Sequence, residues 1–258
     1  YKELNNPRKI NLTDAMQGSY LGPSYEQNTI EKELSYCGAR FDSVTEDEMI
    51  EQTSQALADG KSIGWFQGRM EFGPRALGGR SILGDPRSEK MQKILNIKVK
   101  YRESFRPFAP SVLREDVSDW FEANYDSPYM LLVDYVKKDK RIEMTKEEES
   151  LFGIDKLNIK RSSIPAVTHV DYSSRIQTVY KETNPKYHKL ITKFKEKTGC
   201  SVVVNTSFNI RGEPIVCSPE DAFKCFMGNE LELLVIGNCI LRKNEQYYLI
   251  DEFKSEYK

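Results

Sequence analysis

Residues 69–80, RMEFGPRALGGR, put three arginines, one glutamate, three glycines and a proline into twelve positions. Glycine lets a backbone N–H approach an anion with no Cβ in the way, and a forked guanidinium donates paired hydrogen bonds to phosphate. Arg69, Arg75 and Arg80 are therefore candidate phosphate donors, Gly73, Gly78 and Gly79 the close-approach positions, and Glu71 the carboxylate that holds one guanidinium in place. The same residues would also make a glycine-rich turn whose arginines pair with Glu71 and Asp85.

A second cationic set, Lys98, Lys100, Arg102 and Arg106, lies within NIKVKYRESFRPFAP. On an extended segment Lys98, Lys100 and Arg102 point to one face, and the prolines of FRPFAP put Arg106 on a rigid, aromatic-lined turn. Two such sets favour a polyanion ligand. A triphosphate carries about four negative charges and a charge-assisted hydrogen bond contributes roughly 1.5–3 kcal/mol, so several donors are needed.

The third signal is VVVNTSFNIRGEP at 202–214. Its β-branched run reads as a buried strand whose end delivers Asn205, Thr206, Ser207 and Asn209 into a loop, where open α/β sheets place ligands. Such side chains can read a base, a ribose or a carbonyl, or they can satisfy a turn of their own backbone. Ser207 is a poor candidate nucleophile, because no motif ties His169 or His188 to it.

Several functions are disfavoured. Formal net charge is −1, so the chain as a whole does not attract nucleic acid. His169 and His188 lack a second ligand at metal-site spacing, and the five cysteines form no CxxC pair, so no metal site and no disulfide framework is expected; an odd, unpaired cysteine set fits a reducing cytoplasm. No apolar stretch nears the roughly 20 residues of a membrane span. Gly60-Lys61-Ser62 imitates the end of a phosphate-binding loop, but Gln55 stands where the first glycine is required and the order of elements is reversed. The start, YKELNNPRKI, has neither an initiator Met nor an apolar leader core, which suggests a piece of a longer protein.

The positioning elements follow from pattern. Thr45 and Glu48 make a capping box ahead of a helix that Gly60 closes, and SIGWF is a short strand leading into the arginine-rich loop. Helices are predicted over 88–96, 114–121, 185–198 and 219–227, and strands over 129–136, 165–170, 175–180, 200–204 and 231–241. The charged block 137–161 reads as a solvated surface excursion. The alternation predicts an α/β fold on one mixed sheet.

Together GWFQGRMEFGPRALGGRSILGDPR, KVKYRESFRPFAPSVL, HVDYSSRIQTV and VVVNTSFNIRGEPIV resemble the C-terminal, YrdC-like domain of the carbamoyltransferases of nodulation-factor and antibiotic biosynthesis. The resemblance runs from about Leu21 to about Leu241. It implies a twisted mixed sheet with flanking helices over 21–245, with 1–20 as a tail or linker from an N-terminal domain and 246–258 as a C-terminal tail; the charged block 137–161 matches none of these motifs and is read as a variable insertion.

It also implies chemistry. Such a domain binds ATP, with Mg²⁺, and carbamoyl phosphate, and makes carbamoyl-adenylate. A separate kinase-like N-terminal domain with bound iron moves the carbamoyl group to an acceptor hydroxyl, and its histidine and aspartate ligands have no counterpart here. By motif, Arg75, Lys100 and Arg106 take catalytic roles. Arg175, Asn205 and Ser207 fall in the family's ligand-binding blocks, and Arg69, Glu71, Arg80, Lys98, Thr206 and Asn209 are added as binding candidates from the residues themselves. The competing expectations are a nucleic-acid-binding YrdC-like module and a noncatalytic nucleotide-binding fragment.

Overall fold

A computed structural model describes residues 14–157 and 159–246, so most of the two expected tails lies outside the described residues. The eight-stranded sheet runs in the order β1-β10-β9-β2-β3-β8-β4-β7. The strands are β1 (Asp42–Ser43), β2 (Ile63–Phe66), β3 (Arg80–Gly84), β4 (Ala109–Leu113), β7 (Gln177–Val179), β8 (Val202–Ser207), β9 (Leu233–Ile236) and β10 (Cys239–Arg242). A separate ribbon pairs β5 (Val133–Tyr135) with β6 (Ser173–Arg175). The β2–β9 and β4–β7 pairs are parallel and the other pairs antiparallel, so the expected mixed α/β sheet flanked by helices is what forms.

The helices are α1 (Gln27–Tyr36), α2 (Glu46–Ala58), α3 (Met91–Ile94), α4 (Val117–Trp120), α5 (Lys146–Ser150), α6 (Gly153–Leu157), α7 (Pro185–Thr198) and α8 (Pro219–Met227). The ends of α2 and α7 are written in the sequence. At α2 the Thr45 N–H donates to Glu48 at 2.9 Å while its hydroxyl accepts from the Glu48 N–H, and at α7 Pro185 takes the first turn while Gly199 closes the last with φ 73°. The two helices pack against each other over one face of the sheet, and Phe194, Leu190, Met49 and Leu57 are buried in the continuous core.

Two predicted strands do not form as expected. Over 129–136 only Val133–Tyr135 is strand, and Leu131, Leu132 and Val133 remain 67%, 47% and 57% exposed, because this ribbon lies outside the main sheet and no second layer among the described residues covers these side chains. Residues 165–170 make a short 3₁₀ turn at Pro165–Val167, a position where the proline fits and a strand would lose a donor. The charged block carries α5 and α6 and returns through an Arg141–Ser162 bridge, while residues 14–20 pack on the arginine-rich loop through Ser19 and Tyr20.

Phe194→Ala should cost about 3–5 kcal/mol, the range for emptying a buried phenylalanine site, with the m-value unchanged in urea unfolding. A loss under about 1 kcal/mol would contradict the α2–α7 packing described.

Candidate functional site

β2 and β3 pair in antiparallel register, yet the chain between them takes a wide detour over residues 67–79. Glu71 organises that detour. Its Oε1 accepts from the N–H groups of Leu77 at 2.6 Å, Gly79 at 2.7 Å and Arg80 at 3.4 Å. The expectation that Glu71 holds a guanidinium is thereby corrected: the backbone N–H cradle of Leu77, Gly79 and Arg80 already contains a carboxylate of the chain itself. Gly78 has φ 105° and a Cβ there would sit 2.2 Å from the Tyr187 ring, so no side chain is tolerated.

The carbonyls of the same loop are held from the opposite side. Asn205 Nδ2 donates to Ala76 O at 3.0 Å, Gln177 Nε2 and Tyr20 Oη donate to Leu77 O at 2.7 and 2.6 Å, and Trp65 Nε1 donates to Gly78 O at 2.9 Å. Gln177 Oε1 in turn accepts from Ser111 and Asn205 at 2.5 and 2.8 Å, which ties β4, β7 and β8 to the loop. Gln177, Ser111 and Tyr20 escape the sequence reading. Gln177 and Ser111 lie within the RIQTV and FRPFAPSVL stretches but carry no mark of their own there.

The three loop arginines have separate fates. Arg80 is fully buried, donates to the carbonyls of Gln67, Gly68, Gly79 and Pro23 at 3.1, 3.2, 3.1 and 3.2 Å, and stacks 3.4 Å over Phe66. Burial pushes its guanidinium down to about 10. It is a brace for the loop ends, which corrects its expected place at phosphate. Arg69 donates to Gly22 O at 2.8 Å and is otherwise exposed, and Asp85 pairs with Arg87 at 2.7 Å instead of with a loop arginine. Among the described residues the Arg75 side chain makes no hydrogen bond or ion pair within the chain, and its Nε is buried without a partner.

Arg175, at the end of β6, has the same character. It is half-buried, touches Met130 Sδ at 3.9 Å and has no acidic partner within 4.0 Å among the described residues. Burial, and then the nearby Arg75 charge, push its guanidinium below the ordinary value. Two guanidiniums from distant parts of the chain are thus near enough for the Arg75 charge to act on Arg175, and neither has an acidic partner within 4.0 Å among the described residues. That arrangement is unfavourable without an anion.

The second cationic set does not alternate as expected. Leu95–Val99 continues α3 as a π-helical turn, marked by Lys100 N–H donating to Leu95 O at 2.9 Å, so Lys98 swings away to pair with Glu230 at 3.1 Å. Lys100 is buried, and its Nζ meets Ser207 O, Ser207 Oγ (3.2 Å), Asn209 O (3.0 Å) and Asn209 Oδ1 (2.7 Å). Burial pushes its ammonium down to about 7 and the Arg102 charge adds to the push, while the oxygens around it favour keeping the proton. Arg102 donates to Asn96 Oδ1 at 2.7 Å and lies over Phe108, and Arg106 stays exposed beside Glu103 at 3.1 Å.

β8 also runs further than expected, so Asn205, Thr206 and Ser207 are its last residues and only Asn209 lies in the following loop. Asn205 Oδ1 is buried with no partner. Ser207 Oγ donates to Asn209 Oδ1 at 2.7 Å, and His188 pairs with Glu115 at 2.8 Å, far from a role as its base. Among the described residues no group of three or more His, Cys, Asp and Glu could hold a metal ion, the five cysteines are free, and no helix is long and apolar enough to cross a membrane. A cavity of about 880 Å³ between Tyr20, Tyr180 and Pro185 includes Arg69 but none of the other candidates, so it is a separate feature from the arginine pair.

Residues 54–243, which hold all of these groups but Tyr20, Gly22 and Pro23, match the family model described as the carbamoyltransferase C-terminus. The chain belongs to that family. It is similar to an uncharacterized protein of Synechocystis sp., 55% identical over 248 residues, covering 95% of this chain and 40% of that protein. It is similar to nodulation protein NolO of Bradyrhizobium diazoefficiens, 38% identical over 242 residues, covering 93% and 40%. It is also similar to the 3'-hydroxymethylcephem-O-carbamoyltransferase of Streptomyces clavuligerus, 35% identical over 205 residues, covering 80% and 34%. The chain therefore spans two fifths or less of these relatives. Among solved structures, full-length HypF in its phosphate- and nucleotide-bound form aligns with a TM-score of 0.45 at 16% identity, over 79% of this chain and 23% of HypF.

Arg80→Met should destabilise by at least about 2 kcal/mol, because four carbonyls, those of Gln67 and Gly79 in buried contacts, lose the guanidinium donor, with the loss read from the urea midpoint. An unchanged midpoint would contradict the brace. For Lys100, a folded value near 7 against the ordinary 10.5 means that the unfolded chain holds more protons between those limits, so stability rises as pH climbs through that window. Lys100→Met should remove that part of the rise, measured from unfolding midpoints at about pH 7, 8 and 9.

Proposed function

We propose that this chain is the ATP- and carbamoyl-phosphate-binding part of an O-carbamoyltransferase, and that it forms carbamoyl-adenylate for transfer elsewhere. The observation that carries the reading is the Arg75–Arg175 pair, which lacks an acidic partner among the described residues and has one buried unpartnered donor, on a chain of family membership already established. Phosphate oxygens supply the missing acceptors and relieve the repulsion between the two cations.

The chemistry balances without a protein nucleophile. Water converts carbamoyl phosphate into carbamate and inorganic phosphate. A carbamate oxygen then attacks the α-phosphorus of ATP, the bond to the leaving pyrophosphate breaks, and carbamoyl-adenylate remains. Charge grows on nonbridging and leaving oxygens, where fixed guanidiniums act best. Arg75 and Arg175 take that role, Lys100 fixes the Ser207–Asn209 segment through four oxygens, and Arg106 is an exposed cation open to incoming ligand. Mg²⁺ arrives with the ATP. Transfer to an acceptor hydroxyl belongs to the N-terminal kinase-like domain with its iron, which accords with the short span of the chain against its relatives.

Mg-ATP at about 100 times its dissociation constant should stabilise the chain by roughly 2.7 kcal/mol in a thermal-shift series. Carbamoyl-phosphate-dependent ATP–pyrophosphate exchange should fall by on the order of 10² to 10³ in Arg75→Ala and in Arg175→Ala, and Arg75→Lys should recover little, since one ammonium does not replace a bidentate fork. Equal ATP dissociation constants for wild type and both alanine variants, all shown to be folded, would sink the reading.

A further inference from the structure

A glycine-rich loop beside a cationic site invites the idea that its backbone N–H groups cradle phosphate. Here the cradle is occupied. Glu71 Oε1 takes the N–H groups of Leu77 and Gly79 at 2.6 and 2.7 Å, with that of Arg80 at 3.4 Å, and the carboxylate is buried. Gly79 explains itself by the same contact. A Cβ at that position would lie 3.1 Å from Glu71 Oε2 and 2.8 Å from Arg69 O, so the glycine makes room for the glutamate.

The loop is gripped on its other side as well, by Asn205, Gln177 and Tyr20 on the carbonyls of Ala76 and Leu77. Arg75 is the residue immediately before this doubly held stretch, and its own side chain has no internal partner among the described residues. The direction in which Arg75 projects is therefore decided by backbone groups that Glu71 pins.

We propose that Glu71 is a positioning residue: a built-in anion that seats the 76–80 backbone and so sets Arg75 beside Arg175, leaving phosphate to be recognised by guanidinium side chains and not by the loop amides. The part concerning Arg75 rests on the nucleotide-binding reading above. The seating of the loop stands on hydrogen bonds alone.

The test uses the full 258-residue chain with Glu71→Ala, Glu71→Gln, Arg75→Ala and the Glu71→Ala/Arg75→Ala double variant. Amide hydrogen exchange is followed at Leu77 and Gly79, and ATP affinity is measured per folded molecule. In Glu71→Ala the two amides should exchange at least about tenfold faster, and added formate should restore part of their protection by refilling the cradle. Glu71→Gln, which keeps an acceptor oxygen but loses the charge, should fall between. ATP should bind Glu71→Ala about tenfold more weakly, and adding Arg75→Ala should then cost far less than it does in wild type, the sign of one residue acting through the other.

Wild-type exchange rates at Leu77 and Gly79 in folded Glu71→Ala, or fully additive losses in the double variant, overturn the proposal. If Glu71→Ala does not fold, Glu71→Gln carries the same comparison, and unchanged amide protection and ATP affinity in it count against the proposal. If wild type itself binds no ATP, the functional reading fails and the amide exchange alone decides the role of Glu71.

Discussion

The side-chain amide of Gln177 is the joint on which the candidate site depends. Its oxygen accepts from Ser111 on β4 and Asn205 on β8, and its NH₂ reaches out of the sheet to Leu77. A buried amide that satisfies neighbours on both ends is worth more than its hydrogen bonds taken singly, because losing it strands several polar groups in low dielectric at once. Through this joint the order of strands β8-β4-β7 dictates where the loop after β2 can lie. The loop is thus an extension of the sheet rather than a flap upon it.

The cations divide into two kinds by what surrounds them. Arg80 and Lys100 are spent inside, one on carbonyls at the loop ends and the other on Ser207 and Asn209, and neither is presented to solvent. Arg75 and Arg175 have no acidic partner within 4.0 Å among the described residues, and the Arg75 charge acts on Arg175. Building the first kind costs desolvation but fixes geometry, and fixed geometry is what allows the second kind to stand close without a counter-ion.

Local signals were legible in the sequence wherever the partner is near in the chain. The Thr45–Glu48 box and Gly199 bond within a turn or two, Pro185 takes the first turn of α7, and each element formed where its pattern said. The β-branched run before Asn205 likewise made a central strand. Apolar content misled at 129–136, since hydrophobicity alone does not say whether a second layer will cover a strand. Alternation misled at 98–102, where a helical turn replaced an extended one. At the site, residue types pointed to Arg75, Lys100 and Asn205, and the resemblance alone pointed to Arg175. They could not show that Glu71 and Arg80 bond to backbone, because every residue carries the same amide and no pattern of side chains marks which carbonyl or N–H will face them.

The ladder order has a colloidal consequence. The sheet ends on one side in β1, two residues long and flanked by the Asp42–Arg242 ion pair, and on the other in β7, three residues long. An incoming strand needs a run of free N–H and C=O groups to add to, and these stubs offer almost none. A wide sheet with blunt margins can therefore be crowded in solution, or set beside further domains, without recruiting a ninth strand from a neighbour.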